Sequence, residues 1–284
     1  MTKIQTDIPR QEIHIEGITF TAADARLASD GGPSRLQHLF SEDKSGFKSS
    51  LADFLAEWFN ETDTVKVHTS GSTGTPKELW VEKRRMMESA RLTVNFLDLQ
   101  PKDTALLCMP LQYIAGKMVV VRSLVASLNL LPVAPCSRPL QYLETAPDFA
   151  AMVPLQVYTS IQNPRDKELL CQIRHLIIGG GAIDRTLGEE LRDFPHAVWS
   201  MTETLSHIAL RRLNGPEATD WYTPFNDVQI SLSPEGTLTI DAPQVCPLSL
   251  VTNDLAEFND RGQFRILGRR DNTINTGGVK VQTE

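Results

Sequence analysis

The stretch HTSGSTGTPKEL occupies His68–Leu79. It holds two glycines, three threonines and two serines, and Pro76 stands directly before Lys77. Glycines let backbone N–H groups point inward, hydroxyls donate further hydrogen bonds, and a lysine adds charge, so such a loop suits phosphate. A Walker loop, GxxxxGK[ST], does not fit. Gly71 and Gly74 have the wrong spacing, and Glu78 stands where a magnesium-binding Ser or Thr belongs. The dinucleotide pattern GxGxxG fails as well. A flexible surface turn is the plainer alternative.

Outward from this loop, apolar periodicity marks elements on both sides. Before it, Leu51, Phe54, Leu55, Trp58 and Phe59 follow helical spacing, which predicts a helix over Ser50–Phe59 capped by Ser49 or Ser50. Ile13–Phe20 reads as a strand, and Val65–Val67 as a short strand leading into the loop. After it come a helix at Lys83–Leu97, a strand at Thr104–Met109, a helix at Ala115–Leu128 and a strand at Leu130–Val133. Strands at Phe149–Val153, His175–Ile178 and His196–Trp199 follow, with a helix at Ile183–Asp193. Alternation from 65 to 200 predicts an α/β fold of mostly parallel sheet with flanking helices. Beyond 207, Ile208–Leu213, Val228–Leu232 and Leu238–Ile240 are strands with turn signals between strand pairs, which predicts an antiparallel, barrel-like subdomain. The expected domains are 1–268, α/β to about 207 and β-rich from about 208, then 269–284.

Composition narrows the function classes. The chain has 284 residues, 41% of them hydrophobic, and a net charge of −7, against the basic footprint of a nucleic-acid binder. Cys108, Cys136, Cys171 and Cys246 form no CxxC pair, which reads as reduced thiols rather than a metal cluster. Arg122, Ser123, Ser127 and Asn129 interrupt the most apolar stretch, Met118–Ala134, so no membrane insertion is expected. The N-terminus lacks the apolar core of a signal peptide. A cytoplasmic protein is the expectation.

Thr69-Ser70-Gly71-Ser72-Thr73-Gly74-Thr75-Pro76-Lys77 resembles the phosphate loop of the acyl-adenylate-forming superfamily, which includes acyl-CoA synthetases, luciferases and nonribosomal adenylation domains. Further matches follow in that family's order. Gly179-Gly180-Gly181-Ala182 resembles its glycine turn beside the adenine; taken alone, any strand-to-helix turn would look the same. Trp199-Ser200-Met201-Thr202-Glu203 resembles its Tyr-Gly-x-Thr-Glu motif, with Trp199 and Ser200 in place of Tyr and Gly. Thr252-Asn253-Asp254 resembles its Thr-Gly-Asp segment. Gly268-Arg269-Arg270-Asp271 resembles its hinge. Either Asp254 or Arg269 alone would read as a surface salt-bridge residue.

The resemblance implies a reaction. A carboxylate attacks the α-phosphate of ATP, and coenzyme A then takes the acyl group from the adenylate. The loop hydroxyls and Lys77 would hold the phosphates, Thr202 the α-phosphate and Glu203 a Mg²⁺ ion. Trp199 would pack on adenine, Asp254 and Arg269 would hold the ribose, and Asp271 would be the hinge pivot. The family's C-terminal domain carries a transition-state lysine with no counterpart after Asp271. A chain cut just past its hinge, able to bind nucleotide but poor at adenylation, is the expectation.

The acid is read from two segments. Met109–Lys117 resembles the family's acyl-pocket segment, with Tyr113 where many members have histidine. Thr202–Leu213 resembles o-succinylbenzoate–CoA ligases of menaquinone biosynthesis. That acid has a second carboxylate, which calls for a cation. Lys117 is the first candidate; Ser206, His207 and Arg122 follow. For Lys117 a solvated helix lysine, and for His207 a strand-edge histidine without a ligand, are the plainer alternatives. Another acid, a carrier-protein acceptor, or a nucleotide-binding module without catalysis are the competing functions.

Overall fold

A computed structural model describes residues 4–26, 32–68, 78–181, 183–203, 207–270, 273–276 and 279–282. Near the N-terminus, β1 (Glu12–Ile15) and β2 (Ile18–Thr21) pair antiparallel. The sequence predicts one strand here. Glu16 (φ 52°) and Gly17 (φ 82°) instead form a two-residue left-handed turn, and hairpins favour such turns because their twist matches the strands. Two short helices, α1 (Ala22–Ala25) and α2 (Arg35–Phe40), lead to α3 (Phe47–Trp58). Its N-cap is Gly46, not Ser49 or Ser50. Asp43 accepts the Lys48 backbone N–H at 2.8 Å, and that bond holds its carboxyl below the usual carboxylate range.

Next come β3 (Thr64–His68) and β4 (Glu78–Glu82), antiparallel from Thr64↔Glu82 to His68↔Glu78. Residues 69–77 therefore join the two arms of a hairpin. α4 (Lys83–Leu97) follows, then β5 (Thr104–Leu107), α5 (Ile114–Ala126), β6 (Asn129–Pro132) and β7 (Phe149–Met152). α6 (Pro154–Ile161) and α7 (Pro164–Gln172) precede β8 (His175–Ile178), α8 (Arg185–Leu191) and β9 (Ala197–Glu203). The last strands are β10 (His207–Arg212), β11 (Thr223–Pro224), β12 (Gln229–Leu232), β13 (Thr237–Asp241), β14 (Leu250–Phe258), β15 (Phe264–Arg269), β16 (Thr273–Thr276) and β17 (Val279–Gln282).

Among the described residues the main sheet has nine strands in the order β11-β10-β9-β8-β7-β5-β6-β1-β2. Its middle, from β9 to β1, is parallel, and antiparallel strands close both ends. Leu106, Leu107, Ala150, Leu176 and Ile178 are buried, as expected where helices cover both faces. One core cluster joins α3, α4 and α5 to Ile208 and Leu210, and a second lies beneath α6, α7 and α8. A separate antiparallel sheet runs β12-β13-β14-β15. This separate sheet starts at Gln229. β10 and β11 belong to the edge of the main sheet, because β10 turns back directly on β9.

The amino ends of the parallel strands are locked by charge. Asp148 accepts both the backbone N–H and the hydroxyl of Thr104 at 2.8 Å, and Arg174 contacts Asp103. His175 stands among them. Burial, with Arg174 adding, pushes its imidazole down to about 4. An unfolded chain takes up that proton near 6.5, so acid favours unfolding between the two values. The midpoint of thermal unfolding is expected to fall as pH drops from about 6.5 to 4, and His175→Gln should flatten that fall. An unchanged slope in the variant would show that His175 does not contribute.

Candidate functional site

In open α/β sheets, ligands bind outside the carboxyl ends of the strands, where strand order reverses. Here β6 lies on one side of β5 and β7 on the other, so the reversal falls at β5 and β7. Four segments leave this edge: Cys108–Tyr113 after β5, Val153–Pro154 after β7, Gly179–Gly181 after β8, and Thr202–Glu203 closing β9. Three of the sequence motifs, in Cys108–Tyr113, Gly179–Gly181 and Thr202–Glu203, thus meet at one edge although nearly a hundred residues separate the first from the last.

Each segment has a local reason for its path. Gly180 takes a left-handed φ of 77°, which turns the chain out of β8. A Cβ on Gly179 would lie 2.4 Å from Met201 Sδ, so the methionine side chain lies over this glycine and would have to move for a larger residue. Gln156 is buried and fixes the reversal point. Its amide N–H groups donate to the carbonyls of Cys108 and Cys136, each at 3.0 Å, and its oxygen accepts the Val153 N–H at 3.1 Å. Burial pushes the Cys108 thiol up to about 12, so it stays protonated.

The β3–β4 hairpin, whose arms flank residues 69–77, reaches the same edge. The His68 N–H donates to the Gln112 carbonyl at 3.2 Å, and His68 bridges Tyr113 in parallel. Lys66 and His68 meet Glu78 across the hairpin at 2.5 Å and 3.4 Å. Thr69, Ser70, Gly71, Ser72, Thr73, Gly74 and Lys77 lie outside the described residues, as do Ala182, Ser206 and Asp271. For Thr202 and Glu203, the backbone is in β9.

Trp199 is packed into protein. The Arg212 guanidinium lies 5.3 Å from its ring centre and Phe96 meets it edge-on at 5.2 Å. The indole flanks expected to receive adenine are therefore shared with two protein side chains. Ser200, on the opposite face of β9, lies 3.2 Å from the Tyr222 hydroxyl.

Asp254 and Arg269 pair in register across β14 and β15, with Arg269 donating to Asp254 at 3.3 Å. Both ladders of β14 are irregular here: its pairing with β13 shifts between Val251 and Leu255, and its pairing with β15 shifts between Leu255 and Ala256. Such irregularities bend strands and re-aim side chains. Here they set a carboxylate and a guanidinium together.

The structure separates the two cations of α5. They are five residues apart, on different sides of a helix that turns about 100° per residue. Lys117 faces α3. Its ammonium donates to Glu57 at 3.0 Å and to the Lys66 carbonyl at 2.6 Å, and it lies 4.8 Å from the Phe54 ring centre. It is 6% exposed, and burial lowers its pKa. It is therefore neither a solvated lysine nor aimed at an acid, because Glu57 and a strand carbonyl hold it.

Arg122 faces α4 and β10 instead. Its Nη2 lies 3.5 Å from His207 Nδ1, and His207 Nε2 lies 3.0 Å from the Thr93 hydroxyl. Thr93 donates to the Ser89 carbonyl, so its oxygen accepts from Nε2–H and leaves Nδ1 to face the guanidinium. Burial, with Arg122 adding, pushes His207 well below its usual value. The imidazole is neutral and buried, not at an open strand edge. Burial alone lowers Arg122 to about 9, so it keeps its charge at neutral pH. Phe225 packs edge-on against His207 at 5.5 Å.

Sequence reasoning missed Glu57, Gln156 and Thr93. Two charges in the otherwise apolar helix Ile114–Ala126 were the available signal, since buried charges need partners.

An α/β edge of this build, at the reversal of strand order, is where open sheets bind small ligands. A family model described as AMP-binding enzyme matches residues 20–236. The chain belongs to the AMP-binding enzyme family. It is 32% identical to an acyl-CoA synthetase (AMP-forming)/AMP-acid ligase II-like protein of Dyadobacter fermentans, with a TM-score of 0.75, covering 84% of this chain and 69% of that one. It is 26% identical over 251 residues to a probable 2-succinylbenzoate–CoA ligase of Mycobacterium tuberculosis, covering 80% of this chain. O-succinylbenzoate coenzyme A synthetase of Bacillus subtilis, in complex with ATP and magnesium ion, shares the fold at a TM-score of 0.64 and 17% identity, covering 96% of this chain and 80% of that one. The chain spans 63% of the mycobacterial relative's length and 58% of that of a Listeria monocytogenes 2-succinylbenzoate–CoA ligase. Among the described residues no helix is long and apolar enough to cross a membrane.

Proposed function

We propose that this chain provides the ATP- and acid-binding part of an AMP-forming carboxylate–CoA ligase, and that its acid is o-succinylbenzoate. The convergence of three motif segments, after β5, after β8 and closing β9, with the β3–β4 hairpin on one carboxyl edge carries this reading. Relatives named 2-succinylbenzoate–CoA ligase support the acid. The product, o-succinylbenzoyl-CoA, places the enzyme in menaquinone biosynthesis.

The chemistry joins two anions, so charge neutralisation is the main task. Loop hydroxyls of Thr69, Ser70, Ser72 and Thr73, with Lys77, would hold the β- and γ-phosphates, and Thr202 the α-phosphate. Asp254 would accept hydrogen bonds from the ribose hydroxyls, and Arg269 would donate beside it. The acid's carboxylate attacks the α-phosphate, pyrophosphate leaves, and a coenzyme A thiol then attacks the acyl carbonyl and releases AMP. Magnesium, when bound, neutralises phosphate charge and prefers oxygen ligands. Glu203 would supply the matching donor type. No group of three or more His, Cys, Asp or Glu gathers among the described residues. One carboxylate plus ATP's own oxygens is the common arrangement for this ion.

For the second carboxylate, Arg122 with His207 fits better than Lys117. A charged guanidinium in a buried layer next to β10 offers strong, directional pairing to a carboxylate. Arg122→Met is expected to weaken o-succinylbenzoate binding by about 30-fold or more, with ATP affinity within about twofold. Calorimetric titration of each ligand decides. Equal losses for both ligands, or none for the acid, would remove Arg122 from acid recognition.

A further inference from the structure

The outer edge of β3 is satisfied by side chains rather than by a third strand. β4 pairs one edge of β3. On the other edge, the Lys66 backbone N–H donates to Glu57 at 2.7 Å and the Lys66 carbonyl accepts from the Lys117 ammonium at 2.6 Å. Glu57 and Lys117 also pair with each other at 3.0 Å. One ion pair thus serves both polar groups of a single strand residue, as a neighbouring strand would. Two residues along, the His68 N–H is taken by the Gln112 carbonyl. The Lys117 backbone N–H donates to the Tyr113 carbonyl, so the lysine that anchors Lys66 also stands at the start of the helix that follows the Gln112 contact.

We propose that the Glu57–Lys117 pair is a positioning device: it docks the β3–β4 hairpin on α3 and α5, and so sets where the hairpin's described ends, His68 and Glu78, stand relative to the segment Met109–Tyr113. Both residues act through β3 and neither touches substrate. The consequence for ATP rests on the reading of 69–77 as a phosphate loop; the docking itself does not. Three features specify the device. The ammonium is nearly fully buried, so losing either partner leaves a costly unpaired charge or backbone group. Phe54 packs against the ammonium and fixes its position. The hairpin pairs with no other strand among the described residues, so its placement leans on these contacts. β3 buries only Val65 and Val67, and β4 is mostly exposed, with Trp80 65% open.

Hydrogen exchange and ATP titration on the 284-residue chain test the two levels separately. In Lys117→Met, amides of Thr64–His68 and Glu78–Glu82 should exchange at least about tenfold faster, while those of β7 and β8 keep their wild-type rates. Lys117→Arg should restore most of the protection, because it keeps the charge and donors. Glu57→Gln, a milder change, should give a smaller loss at the same amides. ATP affinity should fall about tenfold in Lys117→Met and recover in Lys117→Arg, with affinity for the acid unchanged. Wild-type exchange at the hairpin in both Lys117→Met and Glu57→Gln would overturn the docking role. Loosening spread evenly over the main sheet would overturn it too, as it would mark a general core residue. Faster hairpin exchange in Lys117→Met, with a folded wild-type chain that binds no ATP, would uphold docking and sink the phosphate-loop reading alone.

Discussion

Alanine at Gly116 is expected to destabilise the fold, although alanine is the better helix former by about 1 kcal/mol. Gly116 lies in the first turn of α5, against the bend that leaves β5. A Cβ there would stand 2.6 Å from the Pro110 carbonyl oxygen, 2.8 Å from that of Met109 and 2.9 Å from the Pro110 carbonyl carbon. All three neighbours are backbone atoms, which cannot swing aside as a side chain does. Relief requires shifting the 109–113 bend or the helix start, and overpacking of this kind costs about 1–3 kcal/mol. For a chain of this size that is roughly 3–10 °C in the unfolding midpoint. The same shift would move Tyr113, hence the Gln112 contact with His68, so acid and ATP affinities should both drop. Thermal unfolding followed by circular dichroism checks the sign. A midpoint unchanged or raised would show that helix propensity outweighs the close approach.

Asp254→Ala is expected to weaken ATP binding by about 10- to 100-fold, the worth of a carboxylate accepting from two hydroxyls. Asp254 stands on the irregular part of β14, its backbone N–H accepted by the Thr252 hydroxyl at 3.1 Å and its carboxylate meeting Arg269. The pair is partly exposed, so its own contribution to stability is small, about 0–1 kcal/mol. The variant should therefore keep its unfolding midpoint within about 3 °C while losing nucleotide. Calorimetric titration with ATP reads the effect. A loss of midpoint with unchanged affinity would return Asp254 and Arg269 to an ordinary structural salt bridge.

Much of the fold was legible because apolar periodicity is strong where helices cover a parallel sheet. Lys83–Leu97 and His175–Ile178 match the predicted bounds, and the strand-helix alternation from 104 to 200 builds the parallel middle of the main sheet, whereas the predicted strand at Val65–Val67 pairs, among the described residues, only with β4. What the sequence hid depends on contacts distant along the chain or on unusual caps. Nothing near Gly46 announces that Asp43 caps α3 from outside the helix. Glu16 in a left-handed turn is a poor residue for that conformation, so the β1–β2 hairpin carried no turn signal. β10 reads as the start of a β-rich region because it is antiparallel, yet it pairs with β9 and so extends the main sheet.

The candidate site divides the same way. The motifs at Cys108–Tyr113, Gly179–Gly181 and Thr202–Glu203 lie where parallel strands end, so strand prediction alone brings them to one edge. The assignment of Lys117 failed because its partner, Glu57, lies 60 residues earlier, and spacing carries no record of such a pair. A lone lysine in an apolar helix demands an acceptor, but the sequence does not say whether protein or ligand supplies it. Arg122 posed the same question, and only the fold shows that it faces β10 and His207.

Titration of the 284-residue chain with ATP in the presence of magnesium most directly tests the central claim, that this carboxyl edge is a nucleotide site. One saturable site is expected, competed by AMP, weakened in Asp254→Ala and intact in Arg122→Met. Absence of binding in a folded wild-type chain, or binding that Asp254→Ala leaves unchanged, would contradict it.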